Sequence, residues 1–208
     1  MLKKGDFVEI NFIGRIKETD EIFDLTDEKI ARENDIYNKE TNYKPVIICL
    51  GFNDIIKGLD LGLIGKDIGN YKIEIKAEDG FGKKSHDMIK LLPSSIFLKN
   101  NIKPVKGLQV NLDGFIGRII SVSGGRTIVD LNHPLAGKDL IYDVDVLRTI
   151  TDLKERIESV LRLLTEKFEV EIENDKAIIK DVDKKLYKAI EKRIKERIDE
   201  VKTIDFKI

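Results

Sequence analysis

The sequence has little of what metal chemistry and extracellular folds require. Its 208 residues include one cysteine, Cys49, two histidines and no tryptophan. A single cysteine excludes an intrachain disulfide, and one cysteine with two histidines cannot build the usual zinc sites. We therefore expect no metal site, and a protein that works in a reducing compartment.

Net charge is also nearly absent, since 37 basic residues face 38 acidic ones. A chain so balanced has no global positive field to attract a polyanion, so we expect no nucleic-acid partner. The first residues lack the apolar run of a signal peptide, and no stretch approaches the roughly 20 apolar residues of a membrane span. These absences predict a soluble, cytoplasmic protein that does not bind a membrane.

The near-zero total conceals a division of the charge into blocks. Residues 84–131 carry seven basic and three acidic side chains, whereas residues 150–208 carry 15 of each sign. The remainder has 15 basic and 20 acidic residues. Such a shift indicates separate modules, although short windows also differ by chance.

Most of the first block has the pattern of β-structure around one short helix. Apolar residues recur at helical spacing over 53–64, with Asn53 or Asp54 as the expected N-cap and Gly65 as the stop. A further helical turn is expected near 27–34. Strands that surround a short helix predict an α+β domain. The predicted strands, which alternate or form apolar runs, are 7–14, 45–50, 71–76 and 139–147.

The middle and last blocks have patterns of their own. In the middle block, three strand-like runs are separated by turn residues at 113–114 and 123–125. In the last block, Asp152 is the expected cap of a first helix and Asp183 of a second. Alternating runs lie between these helices and at 204–208. The order α-β-β-α-β predicts a small domain that follows an interrupted β-rich one.

Two short motifs imitate catalytic signatures without their geometry. Ser85, His86 and Asp87 have the residue types of a hydrolase triad, but consecutive residues cannot place nucleophile, base and carboxylate in line. The segment 62–67 lacks the first glycine of a phosphate loop and has Asp67 in place of the magnesium-binding hydroxyl. Composition and spacing alone therefore predict only an α+β protein with an insertion, and no function.

Five separated motifs stand out along the first 150 residues. They are NFIG at 11–14, IFD at 22–24, LGFNDIIKGLDLGL at 50–63, DGFG at 79–82 and IYDVDVL at 141–147. In order and spacing they resemble FKBP-type peptidyl-prolyl cis-trans isomerases. A sixth segment, LNHPLAG at 131–137, is similar to the return segment of the SlyD-like subgroup, which carries a domain inserted in the flap. The layout of the last block resembles the extra domain of long archaeal members.

The resemblance implies a fold and a set of domain boundaries. The fold is an FKBP-like antiparallel sheet around a short helix, with a small β-rich domain inserted in the flap and a C-terminal αββαβ domain. The isomerase domain is expected at 1–83 plus 132–150. The insert is expected at 84–131, and the C-terminal domain at 151–208.

The resemblance also assigns a site, residue by residue, made of apolar and aromatic side chains with one carboxylate. In the family, the backbone N–H at the Ile56 position binds the substrate carbonyl, and Asp24 would be the one charged wall. Phe12 and Phe81 stand where the family has tyrosines, and Leu59 replaces a tryptophan. The residues implied as catalytic are Asp24, Ile56, Phe81 and Tyr142, and those implied as substrate-binding are Phe12, Phe23, Val46, Ile55, Leu59 and Leu135.

The implied activity is rotation about X–Pro bonds in unfolded or partly folded chains, while the insert holds the client as a chaperone would. Rotation faces a barrier of about 18–20 kcal/mol and changes no covalent bond, so it requires no cofactor. The alternative is a non-enzymatic holdase with a vestigial pocket, whose aromatic residues serve only as core. Two interpretations stay open for the apolar cluster at 88–98, namely an adaptable client surface or the core of the insert. The isoleucine stripe and final strand of the last block further suggest a homodimer.

Overall fold

The computed structural model describes residues 1–112 and 114–207. These residues form two compact units, which we call the main unit and the inserted unit. The main unit contains Met1–Lys76 and the chain from Asp139 onward, and the inserted unit is Ala77–Lys138. The two outer stretches of the chain therefore fold together. None of the helices in the described ranges is long and apolar enough to cross a membrane.

Short strands outnumber helices along the described ranges. The strands are β1 (Phe7–Ile16), β2 (Ile22–Leu25), β3 (Val46–Cys49), β4 (Gly69–Ile75), β5 (Ile89–Pro93), β6 (Gln109–Leu112), β7 (Phe115–Ser123), β8 (Arg126–Asp130), β9 (Leu140–Ile150), β10 (Glu169–Glu173), β11 (Lys176–Lys180) and β12 (Thr203–Lys207). The α-helices are α1 (Glu28–Glu33), α2 (Lys57–Leu63), α3 (Ser94–Lys99), α4 (Leu153–Arg162) and α5 (Tyr187–Arg197). Mostly antiparallel sheets with few helices confirm the predicted α+β class.

A five-stranded antiparallel sheet forms the centre of the main unit. Its order is β2-β1-β9-β4, and β3 also pairs with β1. β1 and β9 lie side by side from the pair Phe7 and Ile150 to the pair Ile16 and Leu140. Because side chains of a strand alternate between its two faces, this long pairing gives the sheet two distinct surfaces.

The helix next to the expected binding site begins later than the sequence predicts. α2 starts at Lys57 with Ile56 as its N-cap residue, so the predicted caps Asn53 and Asp54 are wrong. The backbone of Asn53 has a φ of +56°, and the Asp54 carboxylate accepts a hydrogen bond from a strand N–H instead of capping the helix. Residues 50–56 are therefore a shaped loop, which we call the 50–56 loop.

The C-terminal part of the main unit has the predicted order, α4-β10-β11-α5-β12. Asp152 caps α4 by accepting a hydrogen bond from the N–H of Glu155 at 2.8 Å, which confirms the predicted cap. Asp183 accepts from the N–H of Lys185 and caps a 3₁₀ turn that leads into α5. β11 and β12 pair in parallel. The predicted end of the last strand, Ile208, lies outside the described residues.

One hydrophobic core joins this C-terminal part to the central sheet. It contains Phe7 of β1, Cys49 of β3 and Ile150 of β9, together with buried residues of α4 and α5. Burial of apolar surface is the main favourable contribution to folding, so the sheet and the C-terminal helices stabilise one another. The division of the main unit into an isomerase domain and a separate C-terminal domain stays a prediction.

The inserted unit contains a four-stranded antiparallel sheet in the order β5-β8-β7-β6. The sequence predicts only three of these strands. β5 and α3 arise from the apolar cluster at 88–98, where neighbouring apolar residues follow neither the helical nor the strand period. The predicted turn at 113–114 includes Asp113, which lies outside the described residues. The buried core of the unit consists of Phe97, Val110, Ile119 and Val129.

Candidate active site

Three adjacent strands of the main unit bring three aromatic side chains together. Phe23 lies in β2, Phe12 in β1 and Tyr142 in β9. The ring centre of Tyr142 is 5.6 Å from that of Phe12 and 5.8 Å from that of Phe23, with interplanar angles of 56° and 81°. Tilted and edge-to-face pairs are favourable aromatic geometries. We call these three residues the aromatic cluster.

Gly14 supplies the space in which two of the rings meet. It pairs with Asp24 on one side and with Tyr142 on the other. A Cβ atom at this position would lie 2.9 Å from Cζ of Phe23 and 3.0 Å from Cζ of Tyr142. Glycine is therefore required here for lack of space, and the aromatic cluster depends on it. Gly14 belongs to the motif at 11–14, but no pattern in the sequence indicates this role.

Asp24 is the carboxylate in the same row of the sheet as Gly14 and Tyr142. It lies in the edge strand β2 and its side chain is exposed, yet the partial loss of hydration beside the apolar residues raises its pKa. A hydrogen bond from the backbone of Leu25 acts in the opposite direction and is the smaller effect. Burial also raises the pKa of the Tyr142 hydroxyl, and the negative charge of Asp24 adds to that shift. The site thus combines apolar walls with one poorly hydrated carboxylate.

A hydroxyl group fixes the strand pair that carries Phe12 and Asp24. The Oγ1 atom of Thr26 accepts a hydrogen bond from the N–H of Phe12 at 2.9 Å and donates one to Oδ1 of Asn11 at 2.9 Å. Thr26 is 7% exposed, so these bonds are largely shielded from water. Sequence reasoning missed this residue, because a lone threonine after a strand carries no distinctive signal.

The 50–56 loop presents the two residues that the family resemblance singles out for substrate binding. Ile55 and Ile56 are half-buried at its end. Within the described residues, the N–H of Ile56 donates no hydrogen bond, while its C=O accepts from Leu59 and Asp60 of α2. An unpaired N–H at the start of a helix is a suitable donor for a peptide carbonyl.

The remaining predicted site residues are spread over both units. In the main unit, Leu59 is 1% exposed within α2, and Val46 opens β3. In the inserted unit, the ring of Phe81 stacks on His133 with centres 4.5 Å apart, and the N–H of Leu135 donates to Nδ1 of the same histidine. The catalytic and binding roles of all ten residues stay predictions.

A separate concavity of about 460 Å³ lies against the same sheet. Most of its lining side chains belong to the face opposite the aromatic cluster, because they alternate with Phe12 and Tyr142 along β1 and β9. Its lining is mixed and includes three aspartates, whereas the resemblance implies apolar walls with a single carboxylate, so we place the candidate site on the aromatic face. The lining residues are Asn11, Phe12, Ile13, Asp27, Ile30, Asn70, Tyr71, Lys72, Asp143, Val144 and Asp145.

The described part of the chain offers neither a metal site nor a reactive thiol. No group of three histidine, cysteine, aspartate or glutamate side chains is arranged there to hold a metal ion. Burial raises the pKa of the Cys49 thiol to about 12, helped by the negative charge of Asp54. The thiol is therefore protonated at neutral pH and is a poor nucleophile.

Sequence comparisons relate this chain to characterised proteins. The chain is 31% identical over 147 residues to the short-type peptidyl-prolyl cis-trans isomerase of Methanocaldococcus jannaschii, an alignment that covers 70% of this chain and 92% of that protein. It is 30% identical over 109 residues to the FKBP-type peptidyl-prolyl cis-trans isomerase SlyD of Haemophilus influenzae, which covers 50% of this chain and 57% of SlyD. It is 29% identical over 111 residues to the FKBP-type 16 kDa peptidyl-prolyl cis-trans isomerase of Escherichia coli, which covers 51% and 74% respectively.

The inserted unit has a match of its own. Residues 90–135 match the family model described as FKBP26, IF domain. In the main unit, three aromatic side chains lie beside one carboxylate. The chain belongs to the FKBP-type peptidyl-prolyl cis-trans isomerase family, and the resemblance read from its motifs is thereby confirmed.

Proposed function

We propose that the main unit rotates X–Pro bonds of unfolded or partly folded polypeptides in a pocket walled by the aromatic cluster. The observation that carries this proposal is the meeting of Phe12, Phe23 and Tyr142 beside the carboxylate of Asp24. An apolar site removes water from the amide, and a planar amide in water is the form that solvation favours. Desolvation therefore lowers the barrier to the twisted form.

Two polar groups would act on the bound amide. The free N–H of Ile56 would donate a hydrogen bond to the carbonyl oxygen of the residue before proline, and so hold one side of the bond still. Asp24 would favour the twisted amide from a position beside its carbonyl group, because twisting localises the lone pair on nitrogen and removes negative charge from the carbonyl oxygen, so that the carboxylate repels that oxygen less. Only interactions stronger in the twisted form than in the planar form raise the rate, and the carboxylate is the group placed to make one.

We further propose that the inserted unit holds client chains. Among the described residues, more than half of the large apolar side chains exposed to solvent belong to this unit, which is less than a third of the chain. The cluster at 88–98 serves both purposes considered from the sequence. Phe97 is 2% exposed and belongs to the core, whereas Leu91 and Leu98 are 57% and 58% exposed. Exposed apolar patches mark interaction surfaces.

A tetrapeptide assay of cis-trans isomerisation tests the pocket without involving any holding surface. We expect activity from the full-length protein, a loss of about tenfold or more in Asp24→Ala, and a larger loss in Ile56→Pro, which lacks the N–H donor. Asp20→Ala, a change at an exposed carboxylate outside the site, is the control. An inactive wild-type protein that still slows aggregation of an unfolded client would favour the non-enzymatic holdase instead.

The assembly state is a separate proposal. β12 is an edge strand of the β10-β11-β12 sheet, and edge strands carry unpaired backbone groups that can pair with a second copy. Such pairing would give the homodimer suggested by the sequence. Light scattering of the full-length protein distinguishes a monomer from a dimer.

A further inference from the structure

Arg197, the last residue of α5, reaches the 50–56 loop. Its Nη2 atom donates to Oδ1 of Asp54 at 3.0 Å, and its guanidinium lies 4.7 Å from the ring centre of Phe52. The side chains of Arg197 and Asp54 are 5% and 3% exposed, although 143 positions separate them in the chain. The end of α5 therefore contacts the loop both through an ion pair and through a cation–π contact.

Two carboxylates shape the backbone of this loop. Asp60 of α2 accepts hydrogen bonds from the N–H groups of Gly51 at 2.7 Å and Asn53 at 2.8 Å, one on each oxygen. The second oxygen of Asp54 accepts from the N–H of Cys49 at 3.0 Å. Asp60 acts from the helix next to the loop, whereas Asp54 relies on Arg197 of the distant α5 for its counter-charge.

Stability alone is a weak explanation for this buried pair. The cost of removing two charges from water offsets most of their mutual attraction. The Nε of Arg197 has no hydrogen-bond partner among the residues that the structure describes, which adds to that cost. What the pair supplies is a fixed position for Asp54, and Ile55 and Ile56 follow it directly in the chain.

We propose that Arg197 is a positioning residue of the isomerase site. By holding Asp54 and covering Phe52, it keeps the 50–56 loop in the shape that presents the N–H of Ile56 to the substrate. This inference rests on the proposed function of that N–H. It gives the C-terminal part of the chain a role in turnover in addition to its share of the hydrophobic core.

The test compares two arginines of the C-terminal part in the full-length protein. Arg197→Met keeps an apolar stem and removes the guanidinium. Arg156→Met is the matched control. Like Arg197, Arg156 is largely buried, with 16% of its side chain exposed, pairs with an acidic residue, Glu200, and has a buried Nε without a partner among the described residues. Unlike Arg197, it lies over the ring of Phe7 in β1 and not over a residue of the 50–56 loop. We expect kcat/KM on a proline tetrapeptide to fall about tenfold in Arg197→Met, mainly through kcat, and to stay within about twofold of wild type in Arg156→Met.

A second variant separates positioning from stability. Asp54→Asn combined with Arg197→Met leaves no lone buried charge, so its melting temperature should recover relative to Arg197→Met alone. A purely structural role predicts that activity recovers with it, and that result would overturn the proposal. Positioning predicts that the tenfold loss persists in the folded double variant. Arg197→Lys, which keeps the charge, should regain part of the rate.

Amide hydrogen exchange provides a readout that does not depend on activity. Exchange at Cys49 and Asn53 should accelerate in Arg197→Met and stay unchanged in Arg156→Met, because only the first change frees the 50–56 loop. A wild-type protein inactive on the tetrapeptide would overturn the proposed function, while exchange would still decide whether Arg197 holds the loop. Equal kcat/KM and equal exchange in Arg197→Met and wild type would overturn the positioning role itself.

Discussion

The main unit and the inserted unit differ in how they treat large apolar side chains. In the main unit, the ring of Tyr142 is 2% exposed and meets Phe12 and Phe23 at defined angles. In the inserted unit, Phe115 and Ile116 are 60% and 68% exposed at the start of β7. Adjacent residues of a strand point to opposite faces, so both faces of the sheet are open at this end.

This difference matches two kinds of binding. A site whose walls are packed in a fixed shape can favour one geometry of a peptide bond over another, which catalysis by differential binding requires. An open apolar surface accepts many sequences but distinguishes little between their conformations. The comparison predicts that changes in the main unit alter turnover of every substrate, whereas changes on the inserted surface alter only substrates long enough to reach it.

The largest effect is expected from filling the space at Gly14. In Gly14→Val the added side chain would overlap the rings of Phe23 and Tyr142, and overpacking of this kind costs about 1–3 kcal/mol of folding free energy. Because the rings must move apart, we expect kcat/KM on a tetrapeptide to fall by about two orders of magnitude. The assay is run below the melting temperature of the variant.

Gly117 provides the matched change in the other unit. A Cβ at Gly117 would lie 2.5 Å from a side-chain carbon of Leu131 and 2.8 Å from one of Val129. Gly117→Val should therefore destabilise the inserted unit to a similar degree, yet lower tetrapeptide turnover far less than Gly14→Val does, because only Phe81 and Leu135 of the predicted site belong to this unit. Equal losses of tetrapeptide activity in both variants would contradict the division of labour.

Local signals explain which parts of this architecture the sequence predicts. The cap at Asp152, the αββαβ order and the alternating strands depend on neighbouring residues, and all are present in the structure. The family motifs at 11–14, 22–24 and 141–147 contain the three residues of the aromatic cluster. The hydrogen bonds of Thr26 and the pair of Asp54 with Arg197 join residues at least 14 positions apart, so no local pattern indicated them. The start of α2 was predicted wrongly because Asn53 and Asp54, both common N-cap residues, belong to the preceding loop instead.

A smaller effect, about tenfold, is expected from neutralising the charged wall in Asp24→Asn. The pKa of Asp24 is raised, so the native state binds a proton more tightly than the unfolded chain does. Stability therefore falls as pH rises from the unfolded value, about 3.9, through the native one, and the ionised carboxylate is unfavourable for folding at neutral pH. Asp24→Asn should consequently melt at a slightly higher temperature at pH 7 while turning over more slowly.

The pH profile sharpens this prediction. Wild-type kcat/KM should fall on acidification through the raised pKa of Asp24, at a higher pH than an ordinary aspartate would give. The carboxamide that replaces the carboxylate in Asp24→Asn does not titrate, so the profile of the variant should be flat over that range. Identical profiles in both proteins would show that the charge of Asp24 does not contribute to the rate.

The smallest effect is expected on the open surface, from the combined change Phe115→Ser and Ile116→Ser. Both residues are mostly exposed, so folding should change by no more than about 0.5 kcal/mol each. Tetrapeptide turnover should be unaffected. Catalysis of the proline-limited refolding of an unfolded protein should slow about three- to tenfold through a higher KM, since several apolar contacts to the client are lost.

The control is Ile68→Ser, at a 57% exposed position of the main unit, which removes similar apolar surface and should change neither rate. If that control slowed refolding as much as the double change, the holding surface would not be particular to the inserted unit. The contrast between a packed aromatic site and an exposed apolar surface would then no longer account for two activities in one chain.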